Sequence, residues 1–187
     1  MAEIASESLG VSATFLINSI PPHKEAPSVT SSDRLRMLEI ALKGTGFSID
    51  TRELRRSSPS YTSETLREIR AERPHDPLIF IIGMDSFRTI GSWHEAEELP
   101  ELASFFVIRR PGTEVPPPEK SFLGQHAERA GQAGELLRAP AVKYFISERE
   151  CLPVSSTAIR QALARGEEPS LISPEVLQYI RKNGLYR

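Results

Sequence analysis

Apolar positions follow two rhythms along the chain. Short runs with little polar interruption occupy residues 13–17, 47–51, 78–82, 104–108 and 142–146, the length of strands. The run Leu78-Ile79-Phe80-Ile81-Ile82 is apolar at every residue, which predicts a strand buried on both faces. Between these runs the apolar spacing is helical. Met1, Ile4, Ala5 and Leu9 share a face that Gly10 stops. Leu35, Leu38 and Leu42 point inward from a helix capped by Ser32 or Asp33 and stopped at Gly44, and Leu66 and Ile69 from one capped by Thr62 or Ser63 and running to Arg73. A weak helical region runs past Trp93 to Leu99, and residues 112–140, rich in Pro, Gly and charge, read as a loop with one exposed helix. Two helices close the chain over residues 156–164 and 174–182; the second has Ser173 as N-cap, Pro174 at its first position and Asn183-Gly184 as stop.

Helices alternating with doubly apolar strands predict an α/β fold, a parallel sheet with helices on both faces, in one domain over residues 1–187. Such sheets bind ligands beyond the carboxyl ends of their strands. Chemistry is therefore expected in the segments after Ile17, Ile82, Ile108 and Ile146.

Composition narrows the partners. The 23 Lys and Arg against 25 Asp and Glu leave a formal charge of −2, which argues against nucleic acid or an anionic membrane as the main partner. A small phosphorylated ligand needs only a few placed cations. The single cysteine, Cys151, forms no intrachain disulfide and no cysteine zinc site, and it suits a reducing cytoplasm. The four histidines are scattered, so no protein-held metal is expected. No apolar run is long enough to span a membrane, and the opening MAEIASESLG lacks the basic segment of a signal peptide. The expectation is a soluble, cytoplasmic domain.

Four places carry candidate chemistry. Lys24, in the stiff Pro22-His23-Lys24 loop, suits a phosphate as a point charge or stands as a solvated surface lysine. Asp85 follows Gly83 past a strand end and suits a ribose hydroxyl or a helix cap. Trp93, the only tryptophan, suits a stacked ligand ring or a core position. The segment Val154-Ser155-Ser156-Thr157-Ala158-Ile159-Arg160 opens a helix, whose N-terminus offers free N–H groups to an anion. Arg160, one turn in, leans back toward that end because helical side chains tilt N-terminally. Glycine-rich phosphate loops are absent from the sequence, and no Ser-His-Asp arrangement can be picked out in it.

Taken in order, Pro22-His23-Lys24, Ser60-Tyr61-Thr62, Ile82-Gly83-Met84-Asp85-Ser86, Trp93, Arg109-Arg110-Pro111-Gly112, Ser155-Ser156-Thr157-Ala158-Ile159-Arg160 and the terminal Gly184-Leu185-Tyr186-Arg187 closely resemble the bacterial nicotinate-nucleotide adenylyltransferase family. The resemblance implies a Rossmann-like fold and transfer of the AMP part of ATP to nicotinate mononucleotide with Mg²⁺, releasing pyrophosphate. It gives Lys24 and Arg160 to the ATP phosphates, and Ser156 and Thr157 as helix-start donors. Gly83 and Asp85 would meet the adenosine. Thr62 and His94 would present backbone N–H groups to the nicotinate carboxylate, with Trp93 stacked on the ring. The family's first strand and its Gly-Gly-x-Phe-Asp-Pro-x-His-x-Gly-His segment are not in this sequence, so Met1 is expected to fall within the helix that follows them, with the N-terminal strand missing from the sheet. Two other readings stay open: a non-catalytic nucleotide-binding remnant, and an adenylyltransferase with another acceptor such as phosphopantetheine. Homo-oligomerisation is left open too.

Overall fold

The computed structural model describes residues 1–17, 29–56, 59–138 and 140–186. In chain order the elements are α1 (Ala2–Leu9), β1 (Thr14–Leu16), α2 (Ser31–Leu42), β2 (Ser48–Asp50), α3 (Thr62–Glu72), β3 (Ile79–Gly83), α4 (Met84–Thr89), α5 (Leu99–Leu102), β4 (Ser104–Arg109), α6 (Phe122–His126), β5 (Glu128–Arg129), β6 (Lys143–Glu150), α7 (Ser156–Ala164) and α8 (Pro174–Lys182). The chain divides into two compact units, Met1–Ala13 with Tyr61–Leu152, and Thr14–Ser60 with Pro153–Arg187.

The first unit is built on a four-stranded, all-parallel sheet in the order β3-β4-β6-β5. Side chains alternate between its faces. Ile82, Phe105, Val107, Tyr144 and Ile146 pack on one side with Leu66 of α3, Met84 and Phe87 of α4, and Leu99 and Leu123. Phe106 and Ile108 pack on the other with Ala5 and Leu9 of α1 and with Leu136. The five residues of β4 from Ser104 to Ile108 are buried, as a central strand between two covered faces requires. By contrast β3, expected to be buried throughout, is fully buried only at Ile82, because it lies at the border of its sheet. The helix α1 ends at Gly10, whose φ of 69° is the left-handed conformation that the expected stop requires.

Residues 112–140 contribute more core than their composition predicts. Ser121 caps the short α6 by accepting from the Gly124 N–H, which delivers Leu123 to complete burial, and a 3-10 turn, Ala133–Leu137, delivers Leu136. A side chain at Gly124 would place its Cβ 2.2 Å from the Pro118 carbonyl oxygen, so this close approach requires glycine. The Arg70 guanidinium gathers the Leu102 carbonyl at 2.8 Å and the Asp76 carbonyl at 2.7 Å, tying α3 to the end of α5.

The second unit holds a two-stranded parallel sheet, with Thr14 opposite Ser48 and their hydroxyls 2.7 Å apart. Among the described residues the parallel strands thus form two sheets rather than the single expected one. The helix α8 buries Val176, Leu177 and Ile180 on one face, and Ser173 accepts from the Val176 N–H, as its cap pattern predicts. The N-cap of α2 is Thr30, not Ser32 or Asp33: its hydroxyl accepts from the Asp33 N–H at 3.1 Å. Asp33 is engaged elsewhere, accepting from the Thr30 hydroxyl at 2.6 Å and from the Tyr179 hydroxyl of α8 at 2.9 Å. These two hydrogen bonds hold its carboxyl below the ordinary carboxylate value.

Candidate active site

The first unit carries Thr62, Gly83, Asp85, Trp93 and His94; the second carries Ser156, Thr157 and Arg160. Lys24 lies outside the described residues.

Tyr61, rather than Thr62 or Ser63, is the N-cap of α3, and it supplies no side-chain cap. The N-cap therefore gives no side-chain acceptor to the first N–H groups of this eleven-residue helix, Thr62 among them. The Tyr61 ring lies against the His94 ring, centroids 4.2 Å apart and planes at 37°. This contact brings the start of α3 to the Trp93–His94 segment. Trp93 itself is half-buried, its ring packed on the main core of this unit, while His94 is exposed.

Glu95 follows with a φ of 51°, a left-handed conformation that is strained for any residue bearing a Cβ. From there the chain enters a 3-10 turn, Ala96–Glu98. Arg67, in the second turn of α3, donates one nitrogen to Glu95 at 2.7 Å and to Glu98 at 2.6 Å. The guanidinium holds the Glu95 carboxyl below its ordinary value of 4.5. Nothing in the sequence signals this clamp, whose partners stand 28 and 31 positions apart.

Gly83 ends β3 in an extended conformation open to any residue, and a Cβ there would meet only the end of Met1 at 3.8 Å. Asp85 does not cap α4, whose N-cap is Gly83 and which has no side-chain cap. Its exposed carboxylate pairs instead with Arg110 at 3.4 Å. Arg110 sits in the Arg109-Arg110-Pro111-Gly112 turn, which Thr113 closes by bonding the Arg110 N–H at 3.1 Å.

In the second unit Ser155 is the N-cap of α7 and accepts from the Ala158 N–H at 3.4 Å. Ser156 and Thr157 then occupy the first two helical positions, both exposed. Arg160 turns back along the helix and donates to the Thr157 hydroxyl at 3.3 Å. Burial pushes the Tyr186 hydroxyl up, with the positive charges of Arg160 and Arg34 opposing it.

This chain belongs to the cytidylyltransferase-like family, whose pattern matches residues 1–162. Within that family it falls among the nicotinate-nucleotide adenylyltransferases. A relative from Aeromonas hydrophila, named probable nicotinate-nucleotide adenylyltransferase, is 38% identical over 98% of this chain and 87% of its own length. One of the same name from Cronobacter sakazakii is 41% identical over 93% of this chain and 81% of its own. Among solved structures, Plasmodium falciparum nicotinic acid mononucleotide adenylyltransferase complexed with NaAD superposes with a TM-score of 0.68. It covers 94% of this chain and 82% of that one at 19% identity, which establishes the shared Rossmann-like fold. The same enzyme complexed with APC gives a TM-score of 0.66 at 20% identity. Among the described residues no helix is long and apolar enough to cross a membrane, and no cluster of three or more His, Cys, Asp or Glu could hold a metal ion.

Proposed function

We propose that this chain carries out the reaction its relatives are named for, transfer of the adenylyl group of ATP to nicotinate mononucleotide, giving deamido-NAD and pyrophosphate in NAD biosynthesis. The observation that carries this reading is the meeting of the α3 start, whose N-cap side chain makes no cap bond, with the Trp93–His94 segment through the Tyr61–His94 contact. A helix start without a side-chain cap presents N–H donors to a carboxylate. In this reading the backbone N–H groups of Thr62 and His94 hold the nicotinate carboxylate, and Trp93 offers a ring face to the pyridine. Gly83 leaves room for the adenosine at the end of β3, and Asp85, steered by Arg110, accepts from a ribose hydroxyl.

At the transferring centre an oxygen of the acceptor's phosphate attacks the α-phosphorus of ATP as the bond to the pyrophosphate oxygen breaks. The protein's work is to align the groups and neutralise the departing charge. Lys24 and Arg160 supply that charge, and the N–H groups at the Ser156 and Thr157 positions supply donors at the positive end of α7. The divalent ion, Mg²⁺ in this reading, enters on the ATP phosphates as part of the substrate and needs no protein cage. The single cysteine fits a cytoplasmic setting.

Pyrophosphate release from MgATP, measured with nicotinate mononucleotide, nicotinamide mononucleotide and 4′-phosphopantetheine, tests the reading. Release is expected first with nicotinate mononucleotide. Faster release with phosphopantetheine overturns the acceptor assignment. Nucleotide binding without pyrophosphate release in the presence of any of the acceptors identifies a non-catalytic nucleotide-binding protein.

A further inference from the structure

We propose that Arg67 is a positioning residue for acceptor recognition, fixing the 93–98 segment against α3 through its paired bonds to Glu95 and Glu98. The inference rests on the acceptor reading above. Arg67 touches no proposed substrate group and acts through Glu95.

The 93–98 segment is tied to α3 at two places. At the helix start, the His94 ring lies tilted against Tyr61; in the second turn, one Arg67 nitrogen reaches both Glu95 and Glu98. The Arg67 tie ends on the left-handed Glu95, whose backbone conformation persists only where its surroundings hold it. Arg67 therefore holds the strained residue directly next to His94. The three charged side chains are 38–50% exposed. Exposed pairs add little to global stability, so loss of the clamp should alter recognition without unfolding the protein. Both bonds leave one guanidinium nitrogen, a position that the ammonium on lysine's shorter stem reaches only in part.

The test compares Arg67→Ala and Arg67→Lys with the wild-type chain. Arg36→Ala, which removes an exposed ion pair to Glu39 on α2, serves as control. Initial rates are measured with each substrate varied, beside the emission of Trp93. For Arg67→Ala, KM for nicotinate mononucleotide is expected to rise about tenfold while KM for ATP and kcat stay within about twofold, the split expected when acceptor binding alone is disturbed. Arg67→Lys should recover part of the loss, Arg36→Ala should match wild type, and the Trp93 emission should shift in Arg67→Ala alone. An unchanged acceptor KM, or equal changes in both KM values, overturns the proposal. A wild-type chain that turns over ATP with a different acceptor, or with none, overturns the acceptor reading, and the inference falls with it.

Discussion

The Tyr61 and His94 rings meet at a tilt, centroids 4.2 Å apart, so the N-cap of α3 touches the residue immediately before the left-handed Glu95. The contact has a measurable consequence because His94 is assigned a backbone role. Ring contacts of this kind are worth about 0.5–1.5 kcal/mol. If the contact holds the His94 N–H in place, His94→Ala should raise KM for nicotinate mononucleotide about 2- to 10-fold with little change in kcat. His94→Phe should restore most of the affinity. Steady-state rates with the acceptor varied provide the check, and equal behaviour of the two variants would show that the ring contributes nothing.

Arg160 should act on turnover more than on acceptor affinity, since its proposed partner is charge that grows on the leaving pyrophosphate. Arg160→Ala is expected to lower kcat about 100-fold or more with a small change in KM for nicotinate mononucleotide. Arg160→Lys should recover only part. An alanine variant with wild-type kcat would leave the Arg160–Thr157 bond as a feature of the helix start alone.

The Arg67–Glu95 clamp carries a pH dependence of definite sign. Glu95 is held below its ordinary value of 4.5, mainly by the hydrogen bond from Arg67. A carboxyl depressed by folding contributes fully above its unfolded value and loses that contribution as pH falls through its folded value. Acceptor KM for the wild-type chain should therefore climb below about pH 4.5, beyond any change in Glu95→Gln, which has no charge to lose. Parallel profiles for the two proteins would remove Glu95 from the account.

Gly124 offers a test of the core under residues 112–140. An added Cβ would stand 2.2 Å from the Pro118 carbonyl oxygen and 2.6 Å from its Cα, so backbone must move. Gly124→Ala should cost about 1–3 kcal/mol, read as a lower thermal midpoint. An unchanged midpoint would mean that the Ser121-capped turn yields without cost.

How much of this was legible in the sequence depended on how local the signal is. The strand β4 announces itself by an unbroken apolar run, and α8 by Ser173-Pro174 at one end and Asn183-Gly184 at the other. The cap of α2 is ambiguous in the sequence because Thr30-Ser31-Ser32-Asp33 offers four competent residues. The choice is settled from far along the chain, where Tyr179 engages Asp33. Leu123 and Leu136 were hidden by polar and proline-rich neighbours, since burial there follows from tertiary packing rather than periodicity. For the same reason the Arg67 clamp and the Tyr61–His94 contact had no sequence signature: each joins α3 to a segment about thirty residues away.

The uneven strands imply an uneven clock for amide hydrogen exchange. The amides of β4 are paired on both edges within a covered sheet and should exchange only when the whole first unit opens. Among the described residues, β1 and β2 pair only with each other, over three residues apiece. A two-stranded ladder that short opens at low free energy, so deuterium should reach the Phe15 and Ile49 amides long before those of Phe106 and Val107.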